Sequence, residues 1–283
     1  MLIRRIEDIL SQKIVEQSPL AGGCIARAQK VVTQDGQAYF LKSGGEKGMF
    51  VCEAHGLQEI ARSKSIAVPE VIAYADDFLL LSFISPGQRS AHFFEDFGRA
   101  YAAMHRFTQA HFGFYENNYI GLTPQLNMAE GDEQMSWPLF YFNKRLSYQY
   151  HLAEQQHYVD ARMRKAFAAL ENKFPSIITD EGGEASLLHG DLWGGNFMHG
   201  SSGEAVLIDP AVYYGHREAD LAMTKIFGGF PPAFYAAYQA SFPLADGWEY
   251  REPIYRLYHI LNHLNLFGAS YYAEALQLME YYV

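Results

Sequence analysis

The sequence predicts an α+β chain in which a strand-rich first lobe, residues 1–85, precedes a larger and mainly helical second lobe, residues 86–283. Three observations carry this. Residues 29–42 and 69–81 hold short apolar runs separated by turn residues, the pattern of antiparallel hairpins. From Phe93 onward apolar side chains recur at helical spacing. One further pair of apolar runs, Ser186-Leu187-Leu188 and Ala205-Val206-Leu207-Ile208, interrupts the helices and brackets a segment rich in Gly, Asn and Asp.

The first element, Met1 to Leu10, reads as a short amphipathic helix with Ile3, Ile6 and Leu10 on one face, and not as a signal peptide, because acids soon interrupt its basic start. Next, Ser18 to Ala26 reads as a hairpin tip. There Gly22 and Gly23, followed by Cys24, let backbone N–H groups approach an anion such as phosphate. A thiol in such a place can be oxidation-sensitive, although a small loop filler is the plainer reading of Cys24. A strand at 29–33, a turn at Gln34-Asp35-Gly36-Gln37 and a strand at 38–42 follow, the last ending on Lys42. Lys47 to Ser63 is expected to be a helix with the apolar stripe Phe50, Ala54, Leu57 and Ala61. Glu53 borders that stripe, so its carboxylate needs a cation, and Lys42 is available. After a second hairpin turning at Asp76-Asp77, Ser82 to Gly87 reads as a hinge whose backbone, taken at Ser82 and Ile84, would bond a purine.

Helices are expected at Phe93 to Thr108, Trp137 to Gln155, Ala161 to Phe174 (ended by Pro175), Ala219 to Phe227, Pro232 to Phe242 and Glu252 to Tyr281. Their tyrosines lie at core spacing and read as packing.

The richest segment is His189-Gly190-Asp191-Leu192-Trp193-Gly194-Gly195-Asn196, followed after a turn at residues 200–203 by a strand ending at Asp209. Folding that hairpin back brings Asn196 near Asp209, since paired strands lie ~4.8 Å apart. An amide oxygen and a carboxylate suit Mg²⁺, which takes few protein oxygens and fills its shell with water and phosphate. Asp191, five residues before Asn196, is placed to accept the proton of an attacking hydroxyl. One such Asp-Gly or Asn-Gly pair is an ordinary turn; the joint spacing between two apolar strands points to phosphoryl transfer from ATP. Trp193, between base and metal ligand, either walls an acceptor pocket or shapes the loop. His189 braces the backbone and Asp220 caps a helix or anchors the loop, while His216 and Arg217 are candidates for acceptor contacts.

With these residues in view, the chain resembles the fructosamine kinase (ketosamine-3-kinase) family of the protein-kinase-like, aminoglycoside-phosphotransferase superfamily. The resemblance rests on Gly22-Gly23-Cys24-Ile25, Phe40-Leu41-Lys42, Met49-Phe50 with Glu53, Asn118-Tyr119-Ile120-Gly121, Pro124-Gln125-Leu126-Asn127, Trp137, Arg145-Leu146, His189 to Asn196, Asp209-Pro210-Ala211, Tyr213-Tyr214-Gly215 and Glu218 to Ala222. The insert Leu192-Trp193-Gly194-Gly195 is its most specific piece. The resemblance implies a bilobal protein-kinase-like fold, with Asp191 as base, Asn196 and Asp209 on Mg²⁺, Lys42 on the ATP phosphates and Glu53 as its partner. It also implies ATP-dependent phosphorylation of the 3-hydroxyl of a ketoamine, on a free amine or a glycated lysine, as a step of deglycation.

Composition narrows the field. A net charge of −10 and an isoelectric point near 5.5 argue against nucleic-acid binding. No apolar run reaches the ~20 residues of a membrane span, and a cytoplasmic protein is expected. Two cysteines build neither a disulfide scaffold nor a cysteine zinc site. Two other readings remain open: a kinase of another small acceptor, such as an aminoglycoside, choline-like amine or sugar, and a nucleotide-binding scaffold without turnover. The latter is disfavoured because Lys42, Glu53, Asp191, Asn196 and Asp209 are all present.

Overall fold

The computed structural model describes residues 2–20, 26–180 and 184–282. The first elements are α1 (Leu2–Leu10), β1 (Ile14–Pro19), β2 (Arg27–Thr33), β3 (Ala38–Ser43), α2 (Met49–Arg62), β4 (Val71–Ala75) and β5 (Phe78–Ser82). Then come α3 (Phe93–His105), β6 (Thr108–Gln109), β7 (Asn118–Ile120), β8 (Thr123–Gln125), α4 (Trp137–Tyr141), α5 (Tyr148–Gln155) and α6 (Ala161–Ile177). The last are β9 (Ala185–Leu188), β10 (Phe197–His199), β11 (Ala205–Leu207), β12 (Tyr213–Gly215), α7 (Arg217–Thr224), α8 (Pro232–Ser241), α9 (Trp248–Phe267) and α10 (Tyr272–Glu280).

Two compact units form: Met1–Phe93 with Phe197–Asp209, and Phe94–Asn196 with Pro210–Val283. The first is a five-stranded antiparallel sheet of order β1-β2-β3-β5-β4. Period-two alternation explains why Phe78-Leu79-Leu80-Leu81 is apolar without a break. Phe78 and Leu80 pack with Val31, Leu41 and Ile6 of α1, while Leu79 and Leu81 pack with Phe50, Ala54 and Leu57 of α2. The sheet is thus covered on both faces, and Lys42, next to Leu41, falls on the face that carries α2. The β10–β11 hairpin, expected within the second lobe, packs with the sheet unit instead. Its Leu207 N–H bonds the Ala67 carbonyl at 2.9 Å, the Gly87 N–H bonds the His199 carbonyl at 3.2 Å, and Phe93 stacks on Phe197.

The second unit is helical around a small antiparallel sheet of order β12-β9-β6. Helix α9 is its hub, burying Ile254, Tyr255, Leu257, Tyr258, Ile260, Leu261 and Leu264 against α5, α7 and α10. Several expected boundaries differ. The expected helix at 252–281 is two, because Gly268 adopts φ +92°, open to glycine, and breaks it. Pro175 lies inside α6 rather than ending it; the missing N–H costs only one bond in the last turn. The helix expected from Trp137 to Gln155 contains a π-helical stretch, Phe142–Ser147, in which Arg145 and Leu146 are both fully buried. Helix α7 begins at Arg217 and ends at Thr224, short of Phe227. No described helix is long and apolar enough to cross a membrane.

His259 sits on α9 at the centre of this unit, with its Nδ1 buried and lacking a hydrogen-bond partner. Burial pushes its pKa down from 6.5 to about 3. The unfolded chain therefore takes up a proton at pH values where the folded chain does not. The stability tied to this ring is present above pH 6.5 and is lost as pH falls toward 3. In His259→Phe the thermal midpoint, followed by near-UV circular dichroism, should fall less steeply between pH 6.5 and 4 than in the parent; an equal slope would reject this assignment.

Candidate active site

In the sheet unit the alternation of β3 aims Lys42 at α2, and α2 begins at Met49 after the left-handed turn of Gly48 (φ +84°). One helical turn on, Glu53 Oε1 accepts a hydrogen bond from Lys42 Nζ at 2.7 Å. The same ammonium donates to Asp209 Oδ1 at 2.5 Å. Lys42 is thus held between two carboxylates. Burial alone would lower its pKa, but Glu53 and Asp209 outweigh that and raise it. Burial pushes Glu53 up, to about 7, with the Asp209 carboxylate adding to the rise and Lys42 opposing it. Asp209 ends the hairpin at φ +54°, a left-handed conformation that Asp tolerates better than most residues, and its side chain is 43% exposed.

In the helical unit the loop after β9 is pinned by Asp220. This fully buried carboxylate accepts from the backbone N–H of His189 at 2.7 Å and of Gly190 at 2.8 Å, from Tyr101 Oη and from His105 Nε2 at 3.2 Å. Burial pushes Asp220 up, yet the hydrogen bonds from His105 and Tyr101 help offset this and hold it below the usual carboxylate range. Burial holds His105 below its ordinary value, and the neutral tautomer that satisfies both contacts donates from Nε2 and accepts at Nδ1 from Tyr238 Oη at 2.7 Å. Gly190 has φ +83°, and a Cβ there would lie 2.0 Å from the Ala211 carbonyl oxygen. His189 braces the turn, its Nδ1 accepting the Asp191 N–H at 3.3 Å. The Asn196 amide nitrogen donates to the Asp191 carbonyl at 2.8 Å and to its carboxylate at 3.1 Å, which fixes carboxylate and amide together and leaves the Asn196 oxygen as the acceptor end.

The other expected site residues have varied surroundings. Gly22, Gly23 and Cys24 lie outside the described residues. Ser82 is spent within the sheet: its N–H donates to the Glu70 carbonyl and its hydroxyl accepts the Glu70 N–H, both at 2.9 Å. Ile84, beyond the strand, is half-buried. Arg217 donates to the Tyr238 hydroxyl and to the Phe242 and Pro243 carbonyls, with its guanidinium 3.7 Å from the Phe242 ring centre, so it ties down the end of α8 rather than facing an acceptor. His216 is buried, its ring stacked 4.9 Å from Trp137 and edge-on to Phe112, which makes it part of the aromatic packing. Trp193 is 36% exposed, and a Cβ on Gly195 would come within 2.5 Å of its ring, so the glycine is what lets the indole lie there.

The sequence motifs around Asn118 and Gln125 gain a role only in the structure. Asn118 Nδ2 bonds the Val212 carbonyl at 2.8 Å, and Gln125 Nε2 bonds the Ala211 carbonyl at 2.9 Å. Asn127 donates to Asn118 Oδ1 at 2.8 Å and accepts from the buried Arg145 at 2.6 Å, while Tyr258 Oη donates to Gln125 Oε1 at 2.7 Å. This amide network grips the backbone just after Asp209-Pro210. Polar residues on two short strands were its only sequence signal.

Asp220→Ala leaves the loop donors and His105 without their acceptor, so a loss of about 3–5 kcal/mol is expected by urea unfolding, as for breaking a buried polar pair. Amide hydrogen exchange at His189 and Gly190 should accelerate in the same variant; continued protection there would refute the anchor.

Comparison with known proteins places the chain. The family model described as fructosamine kinase matches residues 2–283. The chloroplastic protein-ribulosamine 3-kinase of Oryza sativa subsp. japonica is 38% identical over 286 residues, covering 96% of this chain and 80% of that protein. A solved structure from Thermobifida fusca, provisionally named a fructosamine-3-kinase, superposes with TM-score 0.88 at 30% identity and covers 99% of this chain and 98% of its own. A macrolide 2'-phosphotransferase of Brachybacterium faecium reaches TM-score 0.58 at 13% identity, covering 98% and 97%, a likeness of fold alone. The antiparallel-sheet unit and the helical unit are those of protein-kinase-like phosphotransferases, and the chain belongs to the fructosamine kinase family.

Proposed function

We propose that this protein transfers the γ-phosphoryl group of ATP to the 3-hydroxyl of a ketoamine of the fructosamine or ribulosamine type, a step of deglycation. The observation that carries the reading is the Lys42–Glu53 pair at 2.7 Å, an ammonium held on the sheet by a carboxylate of the helix behind it. Such a lysine engages the phosphates of a nucleotide, and the carboxylate keeps it charged and aimed. The ribulosamine kinase named among the relatives supports the ketoamine as acceptor.

Asp191 is the proposed base. Its carboxylate, oriented by the Asn196 amide, receives the proton of the acceptor hydroxyl as the oxygen–phosphorus bond forms and the bond to the β-phosphate oxygen breaks, releasing ADP. Asn196 and Asp209 flank one end of the β10–β11 hairpin, in which Phe197 pairs with Leu207. Their hard oxygens fit Mg²⁺. Bound there, the ion would neutralise charge on the phosphates. The adenine is assigned to the backbone at Ile84, since the Ser82 N–H and hydroxyl oxygen are already bonded to Glu70.

The test is ADP release by purified protein with ribosyl- and fructosyl-amines, aminoglycosides and choline. Mg²⁺-dependent turnover of a ketoamine is expected; turnover of an aminoglycoside and of no ketoamine would overturn the assignment. Asp191→Asn should lower kcat by about 10²–10⁴-fold, the range of general-base catalysis, and Lys42→Met should raise KM for ATP while leaving KM for the ketoamine nearly unchanged.

A further inference from the structure

A ribbon of aromatic rings in the helical unit leads away from the loop that carries Asp191. Trp193 meets Phe227 edge-on at 5.6 Å between ring centres, Phe227 meets His263 at 5.2 Å, and His263 meets Phe267 at 5.4 Å and Tyr271 at 5.1 Å. Its rings are open to solvent to an unusual degree: Phe227 is 52% and Phe267 62% exposed. Phe227 holds φ +59° and ψ 39°, a left-handed conformation unfavourable for any residue but glycine, although Gly228 and Gly229 follow it directly. The turn is nevertheless fixed. The Tyr235 hydroxyl accepts the Phe230 N–H at 3.1 Å and bonds the Thr224 carbonyl at 3.2 Å, spanning the turn from both sides. His263 is fixed too, its Nδ1 donating to the His259 carbonyl at 2.7 Å, which leaves Nε2 as an acceptor in the neutral ring.

Resting on the ketoamine reading above, we propose that Trp193, Phe227 and His263 form the subsite for the amine side of the acceptor. Phe227 sets specificity by taking the protonated secondary amine over its ring, and the alkyl chain beyond runs along His263 toward Phe267. The chemistry favours the amine over the sugar. A polyol needs several hydrogen-bonding groups converging on it, whereas this ribbon is mainly π faces, with one imidazole acceptor, the Trp193 indole N–H and the Tyr271 hydroxyl spread along it. A secondary ammonium with an apolar tail is attracted to such faces, and Trp193, two residues from Asp191, makes the ribbon continuous with the proposed base. The ligand class is an alkylammonium, whether on a free glycated lysine or on a glycated peptide.

The test compares KM for ribulose adducts of methylamine, n-hexylamine and Nα-acetyl-lysine, and for a glycated peptide, in the parent, Phe227→Leu and Phe227→Tyr. In Phe227→Leu the KM for each of these ammonium adducts should rise about tenfold with kcat held, and Phe227→Tyr, which keeps the π face, should restore it. Because both variants carry the same left-handed strain, their comparison separates ring chemistry from folding. A rise with the lysine adduct or with the peptide supports the subsite and names its source. An unchanged KM with both, or a change in oligomeric state without a change in KM, overturns it. Absence of ketoamine turnover in the parent would instead strike at the functional reading itself.

Discussion

The carboxylate of Asp220 is the interaction on which the helical unit depends. Burying a charge costs several kcal/mol unless its lone pairs are filled, and here four donors fill them: two backbone amides of the catalytic loop, Tyr101 and His105. The direction of donation continues outward, from Arg217 to Tyr238, from Tyr238 to His105, and from His105 to Asp220. A partly exposed guanidinium thereby helps fix the polarity of a buried chain that ends on the loop holding Asp191. Arg217 was expected at the acceptor; the structure shows it opening α7 at the start of this relay, bonded to Tyr238 and to the end of α8.

Unit by unit, the same economy governs the sheet. Its two covered faces follow from the alternation of β3 and β5, and that alternation alone decides that Lys42 faces α2 while Leu41 faces α1. One ammonium then lies between Glu53 and Asp209. Two carboxylates sharing a single cation leave the group net negative and partly buried, the condition that pushes Glu53 upward.

The fold class, the hairpins of the sheet and the Lys42–Glu53 pair were legible because each depends on spacing within some twenty residues. Asp191 and Asn196, five residues apart, are joined by a hydrogen bond over the same short range. Long-range consequences were not. Nothing local to Asp209 announces that its carboxylate meets Lys42, 167 residues away. Nor does anything in residues 197–209 announce that their hairpin packs with Ala67 and Gly87. His216 and Arg217 lie close in sequence to functional positions, and a one-dimensional reading cannot tell a buried imidazole in an aromatic stack from one facing a ligand. The breaks at Gly268 and in the π-helical stretch were hidden because apolar periodicity runs across both.

The insert Leu192-Trp193-Gly194-Gly195 shows how a motif can divide its work. Leu192 is fully buried and anchors the loop, whereas Trp193, the next residue, is partly exposed. Gly195 is required by the indole, since a side chain there would collide with it, and Gly194 has open space around it. None of these four residues carries a carboxylate or a side-chain oxygen ligand for a metal, so the roles proposed for Asp191 and Asn196 do not explain them. Their shared effect is to bring one large aromatic ring to the surface two residues from Asp191. On the proposed reading such a ring serves acceptor recognition and not phosphoryl transfer, so within one short loop the proton-accepting and the recognition roles would fall on nearby but separate residues.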